Sequence, residues 1–303
     1  MKITFLGTSG SFPTANRGLP AIAVTRDGEL LLFDCGEGTQ RQMVLSKTKF
    51  SSKMKLFITH MHGDHVLGLP GLFQSMSLFD RRMPVKIYGP IGLYDFVKAF
   101  KETVKFSLTF SIEVKEVEEG VICREKEYSV EAAMADHAIP DLAYALTEKE
   151  RPGIFYPEKA KALGVPEGPL WSKLQHRRKI TLPSGKIITA SQVLGPSRRG
   201  RKIVYSGDTR PCEAVLRLAE CADVLIHEAT FDDNLSDKAN ENGHSTPSQA
   251  AEIAKEAGVK RLVLTHIGGR YLHVEELLEQ ACNIFSSVDL AEDFMEIEVP
   301  YID

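Results

Sequence analysis

Three histidines and one aspartate lie within six consecutive positions of the segment THMHGDH, which spans 59–65. Imidazole nitrogens and carboxylate oxygens bind zinc and similar borderline cations, and several ligands on one turn reduce the ordering cost of metal binding. His60 and His62 are two residues apart and can point the same way from an extended turn. The adjacent Asp64 and His65 then face a different centre. Isolated histidines are usually packing or surface residues, but this HxHxDH spacing favours a turn that contributes ligands to two metal sites.

A four-ligand turn cannot complete two metal sites, so further ligands are expected at the ends of other strands. Three residues qualify: His137 after YSVEAAMAD, Asp208 at the end of KIVYSGD, and His266 at the end of RLVLTH. Each terminates an apolar run, and loops at strand ends gather functional groups in layered α/β folds. Taken one at a time, a capping aspartate or a surface histidine remains an alternative at each position. Their shared placement favours metal ligation.

The segments around these residues alternate between strand-like and helical patterns. The apolar runs KITFLG, AIAVT, ELLLFDCGEG and KLFIT are typical of strands, and the turn is followed by the helical pattern VLGLPGLFQSMSLF. Later in the chain, the strand-like segments KIVYSGDT, DVLIHEAT and RLVLTH alternate with helical segments. This alternation predicts an α/β fold built in layers, with the histidine-rich turn between a strand and a helix.

Composition limits the class of protein. The chain has 303 residues, of which 43% are hydrophobic, so it can bury a large core. Its five cysteines are scattered without CxxC spacing, which predicts reduced thiols. The N-terminal segment has no signal-like pattern, and no apolar run approaches the roughly 18 residues of a membrane span. We therefore expect a cytoplasmic globular protein with no membrane partner.

Charge is distributed unevenly along the chain. The formal net charge is −4, yet the segment 151–202 contains twelve Lys or Arg residues and only two acidic residues. Such asymmetry favours a basic surface for a polyanion, and a solvated basic loop is the alternative. Within 151–200, Pro and Gly recur at turn-forming intervals and hydrophobic periodicity is almost absent. We interpret this segment as a protruding insertion rather than a second domain.

Several motifs occur in a fixed order along the whole chain: FLGTSGSFP, FDCGEGTQ, THMHGDH, GDTRP, HEATF, HST and THIGGRY. HxHxDH alone indicates only the metallo-β-lactamase superfamily, which includes thioesterases, lactamases and phosphodiesterases. The full set resembles the short form of the ribonuclease Z family, the tRNA 3′-processing endoribonucleases of that superfamily. The resemblance implies a single domain over 1–303 with an α/β fold, a four-layer αββα metallo-β-lactamase sandwich. It also implies a protruding, flexible, basic arm inserted at 151–195.

The resemblance further implies a zinc-dependent enzyme with two Zn²⁺ ions per subunit. The family pattern assigns one ion to His60, His62 and His137, the other ion to Asp64, His65 and His266, and the bridging position to Asp208. Two such cations lower the pKa of a bridging water and contact the attacking and non-bridging oxygens during in-line phosphodiester hydrolysis. Asp64 is expected to accept a proton from that water.

The leaving 3′ oxygen of the RNA needs a proton, and the motifs HST and HEATF supply candidates for its transfer. The resemblance implies that His244 is the general acid or a phosphate contact and that Glu228 holds its imidazole. From the residues alone, His244 could equally be the residue before a helix cap. His227 is expected to be structural, because strand alternation points it away from the side that Glu228 faces. Asp34 could support a ligand histidine or could only form a buried turn.

Precursor tRNA is the partner that the resemblance implies, and the arm would grip its elbow away from the metals. Six basic residues of the arm are expected to bind RNA phosphates without reading bases: Lys159, Lys161, Lys173, Arg177, Arg178 and Lys179. Trp171 either stacks on RNA or anchors the fold of the arm, and we favour anchoring. Family members are typically homodimers in which the arm of one subunit clasps RNA bound to the other.

One departure from the family pattern lies in THIGGRY, where the family commonly has a serine after THI and this chain has Gly268 and Gly269. A hydroxyl contact to RNA from this loop is therefore absent, although Arg270 and Tyr271 remain.

Two alternatives to a tRNA nuclease stay open. Another metallo-β-lactamase-fold hydrolase, such as a thioesterase or a small-molecule phosphodiesterase, would not need the basic arm. A non-catalytic RNA-binding subunit would lack some of the ligands.

Overall fold

The computed structural model describes residues 1–301, which form two compact units. One unit comprises Met1–Thr147 and Lys202–Pro300, and the other comprises Glu148–Arg201 together with Tyr301. All the metal ligands predicted from the sequence belong to the first unit, and the six basic residues predicted to contact RNA belong to the second. The limits predicted for the arm, 151–195, fall inside the second unit.

Strands and helices alternate along most of the chain. The strands are β1 (Lys2–Gly7), β2 (Ser9–Gly10), β3 (Ala21–Arg26), β4 (Glu29–Phe33), β5 (Lys53–Phe57), β6 (Val85–Gly89), β7 (Ile112–Glu116), β8 (Gly120–Arg124), β9 (Tyr128–Ala135), β10 (Asp141–Glu148), β11 (Ile180–Thr181), β12 (Ile187–Ile188), β13 (Lys202–Tyr205), β14 (Val224–Glu228), β15 (Leu262–Thr265), β16 (Ile267–Gly268), β17 (Val288–Leu290) and β18 (Glu296–Glu298). The helices are α1 (Thr39–Leu45), α2 (Gly63–Val66), α3 (Leu69–Leu78), α4 (Leu93–Thr103), α5 (Pro157–Ala162), α6 (Pro169–Gln175), α7 (Glu213–Ala219), α8 (Ser236–Asn242), α9 (Pro247–Glu256) and α10 (Glu275–Cys282). Throughout residues 1–301, every helix is too short or too polar to span a lipid bilayer.

Two seven-stranded mixed sheets form the centre of the first unit. The first sheet has the strand order β18-β1-β3-β4-β5-β6-β7, and the second has the order β17-β15-β14-β13-β10-β9-β8. Strands β4 to β7 run parallel in the first sheet, and β13, β14, β15 and β17 run parallel in the second. Phe57 pairs with Phe33 on one side and with Tyr88 on the other, and its ring stacks on theirs at 5.2 Å and 5.1 Å.

Three clusters of buried apolar side chains separate four layers. Side chains from both sheets, including Phe5, Phe57 and Tyr144, pack between the sheets. The outer face of the first sheet packs against α1, α3 and α4, and the outer face of the second packs against α7, α9 and α10. Strands covered on both faces are buried along their whole length, as in Glu29–Phe33. The predicted αββα metallo-β-lactamase sandwich is confirmed.

The helical pattern that follows the histidine-rich turn forms two helices, α2 and α3, rather than one. Pro70 lies in the first turn of α3, where the missing N–H has no helical acceptor to lose. Gly68 lies at the break between the helices, and a Cβ there would be 2.0 Å from the carbonyl oxygen of Gly36. The break therefore depends on a glycine at this close approach of two loops.

The second unit has a small core of its own. Although hydrophobic periodicity is almost absent from its sequence, seven apolar residues are buried there: Ala160, Val165, Leu174, Ile180, Leu182, Ile188 and Val193. Their elements are two to seven residues long, which is too short to show a period in the sequence. Trp171 packs on this core, with its ring 5.3 Å from that of Phe155 and its N–H donating to the Val165 carbonyl at 3.1 Å. These contacts favour an anchoring role for Trp171.

Candidate metal centre

The histidine-rich turn follows β5 and is held between the two sheets. The amide of Ile58 donates to the carbonyl of Tyr88 at 2.8 Å, and the amide of Leu142 donates to the carbonyl of Thr59 at 2.9 Å. The hydroxyl of Tyr144 also donates to the Ile58 carbonyl, at 2.6 Å. These bonds tie the end of β5 to β6 in the first sheet and to β10 in the second. The direction of the turn is therefore fixed where it leaves the strand.

The seven residues predicted as ligands converge at this turn. Potential ligand atoms lie within 4.8 Å of one another in two groups, the first of His60, His62, His137 and Asp208 and the second of Asp64, His65 and His266. Oδ2 of Asp208 is 3.8 Å from Nε2 of His60 in the first group. The same oxygen is 3.5 Å from Nε2 of His65 and 3.3 Å from Nε2 of His266 in the second. The two ligand groups therefore share the carboxylate of Asp208.

Buried carboxylates orient two of the three histidines that come from the turn. Nδ1 of His60 is 2.6 Å from Oδ2 of Asp141. Nδ1 of His65 is 2.8 Å from Oδ2 of Asp34. An acceptor at Nδ1 keeps the proton of a neutral imidazole on that nitrogen, so Nε2 is left as a lone-pair donor. In both rings this Nε2 is the atom that faces Asp208.

Neutral acceptors orient the two histidines that come from more distant loops. Nδ1 of His137 is 2.7 Å from the carbonyl oxygen of Gly243. Nδ1 of His266 is 2.8 Å from Oγ1 of Thr230, and that hydroxyl donates its own proton to Glu228 at 2.7 Å. The Thr230 oxygen can then accept from His266. These two rings also have Nε2 available for a cation.

Several buried polar atoms at the centre fit a bound cation. Across the described residues, Nε2 of His65, Nε2 of His266 and Oδ1 of Asp208 are buried without a hydrogen-bond partner. Such atoms cost about 1–3 kcal/mol each when nothing satisfies them. In addition, Nδ1 of His62 lies 3.0 Å from Nε2 of His60, so the two nitrogens are close enough to bind one cation. The donor set therefore fits metal binding.

The protonation state of the histidines also determines whether they can bind a metal ion. Burial, with the neighbouring His65, lowers the pKa of His60 to about 3, and burial also lowers the pKa of His137. Neutral imidazole is the form that binds a metal ion. Burial likewise disfavours the charged form of His65, but Asp208 and Asp34 outweigh it and raise the pKa of His65 well above its usual value. A proton and a metal ion therefore compete for Nε2 of His65.

His244 lies beside the ligand groups with its ring held by Glu228. Nδ1 of His244 is 2.8 Å from Oε1 of Glu228 and 3.9 Å from Oδ2 of Asp208. Burial lowers the pKa of His244, but the charge of Glu228 and its hydrogen bond raise that pKa to about 9. His244 also falls within 4.8 Å of Asp208 and His266, so the geometry admits it as a ligand too. The carboxylate at Nδ1 leaves Nε2 for either role, and the raised pKa of His244 favours a proton donor.

Two residues that support the centre, Asp141 and Thr230, were missed by sequence reasoning. Asp141 begins the apolar strand β10, and a single polar residue there gives no sign of which way its carboxylate points. Thr230 follows HEA, where the neighbouring Glu228 was singled out instead. Both contacts join elements distant in the chain, which periodicity does not detect. The signal that the sequence did offer was an aspartate at the start of an otherwise apolar strand.

Asp34 fulfils both of the roles considered for it. Its left-handed φ of 57° forms the turn after β4. Its Oδ2 accepts hydrogen bonds from Nδ1 of His65 and from the Tyr205 hydroxyl, each at 2.8 Å. By contrast, His227 is buried with Nδ1 on the carbonyl of Glu228 at 2.8 Å and is not a member of either ligand group.

The basic residues predicted to contact RNA lie on the surface of the second unit. All six are exposed: Lys159, Lys161, Lys173, Arg177, Arg178 and Lys179. Three of them have local partners. The ammonium of Lys159 lies 4.4 Å from the ring centroid of Tyr156. Lys161 forms an ion pair with Glu167 at 3.1 Å, and Arg177 donates to the Arg151 carbonyl at 3.1 Å and to Oγ of Ser197 at 2.7 Å.

Two family models match the chain. A model described as anti-Pycsar protein Apyc1 matches residues 1–155, and a model described as a beta-lactamase superfamily domain matches residues 169–267. The sandwich fold and the histidine and aspartate cluster agree with these matches. They place the chain in the metallo-β-lactamase class, with a residue cluster suited to metal binding.

Known ribonucleases resemble the chain over its whole length. The ribonuclease Z of Methanosarcina acetivorans is 49% identical over 302 residues, which is 99% of each chain. The ribonuclease Z of Methanothermobacter thermautotrophicus is 48% identical over 303 residues, covering 100% of this chain and 98% of the relative. The crystal structure of human tRNase Z, short form, is 33% identical with a TM-score of 0.73, covering 99% of this chain and 100% of the human chain. The chain belongs to the ribonuclease Z family, as predicted, and is an endoribonuclease.

Proposed function

We propose that this chain is a zinc-dependent endoribonuclease that removes the 3′ trailer from precursor tRNA and leaves a 3′-hydroxyl on the tRNA. The observation that carries the proposal is the pair of ligand groups joined by Asp208, in a member of the ribonuclease Z family. The likeness to human tRNase Z over 99% of this chain supports tRNA as the substrate. A cytoplasmic location belongs to the same proposal.

Two Zn²⁺ ions per subunit are the cofactor in this proposal. One ion would be held by His60, His62 and His137, the other by Asp64, His65 and His266, and both by Asp208. Neutral imidazole nitrogen with carboxylate oxygen is donor chemistry that zinc prefers. When bound, the two ions would activate a water molecule and offset the negative charge that develops on the phosphate.

Asp64 would orient the attacking water and accept its proton. Its Oδ2 accepts a hydrogen bond from the Ser11 amide at 2.8 Å and lies 3.5 Å from Nε2 of His266 and 3.6 Å from Nε2 of His65. Burial raises the pKa of Asp64, but the nearby imidazoles of His266 and His65 lower it below its usual range. The carboxylate is therefore ionised at neutral pH and held in one orientation, as a general base requires.

His244 would give a proton to the leaving 3′ oxygen, with Glu228 as its positioning residue. The carboxylate of Glu228 is fixed by the amides of Thr209 and Thr230, at 3.1 Å and 3.0 Å. With Nδ1 of His244 bound to Glu228, Nε2 is the nitrogen that would carry the proton to the substrate. A positioned general acid contributes roughly 10²- to 10⁴-fold to such reactions.

The basic surface of the second unit would bind the phosphates of tRNA. Removing two charges in the double variant Lys173→Gln/Arg178→Gln should weaken precursor binding and flatten the dependence of log affinity on log salt, by up to about 0.9 for each phosphate that is no longer neutralised. Hydrolysis of a small phosphodiester should not change. The control Lys98→Gln/Lys101→Gln removes the same charge from α4 and should keep the salt dependence of the wild type. If both double variants lose affinity equally, the effect is one of net charge and not of this surface.

A homodimer is also part of the proposal. Helices α1 and α3 carry apolar side chains that are more exposed than is usual for their type, namely Val44, Leu45, Leu78 and the adjoining Phe79. Exposed apolar side chains on two helices that contact each other are typical of subunit interfaces. A second copy of the chain is the occupant that the family resemblance favours.

The test of the proposed activity uses three substrates: a 3′-extended precursor tRNA, a generic thioester and a small phosphodiester, each with and without a chelator. We expect chelator-sensitive cleavage of the precursor at one position, restored by Zn²⁺. The variant Asp208→Asn removes the shared carboxylate and should abolish cleavage together with metal content. Cleavage of the small substrates alone would favour another hydrolase of the same superfamily.

A further inference from the structure

A cavity of about 280 Å³ lies next to His244, outside the two ligand groups. Its walls include two aromatic rings, a glycine and two cationic side chains: Phe12, Phe231, Gly269, Lys238 and Arg270. Aromatic faces beside cations are the chemistry with which proteins hold a nucleobase and its phosphate. The cavity is therefore suited to one nucleotide of a single strand.

The loop that carries Phe12 is fixed, while the ring itself is open to solvent. Strand β2 pairs with β16, with Gly10 opposite Gly268. The next residue, Ser11, donates its amide to the Asp64 carboxylate at 2.8 Å, and Oγ of Ser9 donates to the Phe12 carbonyl at 2.8 Å. Despite these restraints on its backbone, Phe12 is 57% exposed. A large apolar ring on a rigid backbone beside a reaction centre is preorganised for a contact with substrate.

The absence of a side chain at Gly269 makes room for this ring. A Cβ on Gly269 would lie 2.6 Å from Cζ and 2.8 Å from Cε2 of Phe12. The ring therefore occupies the space that any larger residue at 269 would need. At the preceding position, a Cβ on Gly268 would lie 2.6 Å from the carbonyl oxygen of Thr230. Packing against the backbone therefore requires the first glycine of THIGGRY, and the second one defines where Phe12 can lie.

The guanidinium of Arg270 supplies one of the cations that line the cavity. The exposed guanidinium of Arg270 is 4.7 Å from the ring centroid of the buried Phe231. The Phe231 ring is in turn 5.9 Å from that of His244. Stacking on Phe231 restricts the orientation of the guanidinium and leaves its N–H groups for a phosphate or a base edge.

We propose that this cavity holds the base of the nucleotide whose 3′ oxygen is the leaving group, stacked on Phe12. The inference rests on the proposed function, because a general acid at His244 must lie next to that oxygen and hence next to the nucleotide that bears it. In a precursor tRNA this is the nucleotide on the 5′ side of the scissile bond, which is the last one that the cleaved tRNA keeps. Stacking tolerates all four bases, so Phe12 positions the scissile bond and does not select a sequence.

The test is a double-mutant cycle between the protein and the RNA, run on the zinc-loaded enzyme. Phe12→Ala and Phe12→Tyr are compared with wild type on two precursor tRNAs, one intact and one lacking only the base of that nucleotide. Phe12→Ala should lower kcat/KM on the intact precursor by roughly 10- to 100-fold, as expected when one stacking interaction is removed. It should cause no further loss on the abasic precursor, and Phe12→Tyr should retain wild-type activity on both. Tyr94→Ala is the matched control, because Tyr94 is 56% exposed and lies on α4.

Two outcomes would overturn the subsite. Equal losses on intact and abasic precursor would mean that Phe12 acts through the loop that holds Asp64, and no loss on either would mean that the base is bound elsewhere. Metal content and melting temperature, measured for each variant, separate misfolding from both. A wild-type enzyme that cleaves neither precursor would instead refute the proposed function, and the subsite with it.

Discussion

Two buried aspartates support the turn histidines, and their replacement by asparagine should have different consequences for metal binding. The difference depends on which carboxylate oxygens of each aspartate accept hydrogen bonds. Both oxygens of Asp34 accept hydrogen bonds: Oδ1 accepts the Thr59 amide at 2.8 Å, and Oδ2 accepts His65 and the Tyr205 hydroxyl. Both contacts of Asp141, from His60 at 2.6 Å and from the Asp208 amide at 3.2 Å, fall instead on one oxygen, Oδ2.

Asp34→Asn cannot accept all the hydrogen bonds that the carboxylate of Asp34 accepts in the wild type. The Thr59 amide can only donate, so the asparagine oxygen must stay at the Oδ1 position and its NH₂ group must face Nδ1 of His65. One possibility is that the proton of His65 moves to Nε2, the atom needed for the metal. The other is that it stays on Nδ1, where this N–H and the asparagine NH₂ group face each other as two buried donors. Losing the supporting carboxylate costs about 10- to 100-fold in metal affinity, and opposed donors add about 1–3 kcal/mol. We expect more than a 100-fold loss of affinity at the site of His65.

Asp141→Asn can keep both of its contacts. The asparagine oxygen can take the Oδ2 position, and its NH₂ group then occupies the Oδ1 position, which is buried and has no hydrogen-bond partner in the part of the chain that the structure describes. The buried NH₂ group lowers the stability of the apo and metal-bound forms alike, so it does not change affinity. Burial and the neighbouring Asp208 and Asp34 raise the pKa of Asp141 well above its usual value, so asparagine removes little charge. We expect a loss of affinity near the lower limit, roughly tenfold.

The measurement is competition for Zn²⁺ against a chelator of known affinity, with elemental analysis of the stoichiometry. Urea unfolding of each apo form gives the stability change separately. The exposed Asp95 on α4 supplies the control, since Asp95→Asn should leave both quantities unchanged. Equal losses for Asp34→Asn and Asp141→Asn, or a larger loss for the latter, would refute the argument from hydrogen-bond direction.

Three further predictions concern the acid, the dimer and the cavity. His244→Gln should lower kcat by roughly 10²- to 10⁴-fold while two metal ions per subunit are retained; a fall to one ion would identify His244 as a ligand instead. Phe79→Glu should convert a dimer to a monomer in sedimentation at micromolar concentration, and an unchanged sedimentation coefficient would exclude this surface. Gly269→Ala should reduce the dependence of kcat/KM on the stacked base by displacing Phe12, and should add nothing in the Phe12→Ala background. Additive losses in that double variant would contradict the steric reason given for Gly269.

The ligands could be predicted from the sequence because their signals are local. Four of them share one turn, and the other three end apolar strands whose hydrophobic pattern can be recognised in the sequence. The contacts that orient them are not local. Thr230 and Gly243 reach their histidines across 36 and 106 positions of sequence, and the direction of a single side chain leaves no period to detect. The small core of the second unit was missed for a related reason, since its elements are too short to repeat.

The HST segment connects two functions, metal binding and proton transfer, that the sequence assigns to different motifs. Gly243 precedes His244 and adopts a left-handed φ of 79°, and a Cβ there would lie 2.8 Å from Nδ1 of His137. Its carbonyl therefore reaches the ring of a ligand histidine because it has no side chain, while the next residue is fixed by Glu228. One short loop thus sets the direction of Nε2 in His137 and the position of the proton on His244. A change in this loop should disturb metal binding and proton transfer together, which is why a variant of His244 itself, and not of Gly243, separates the two.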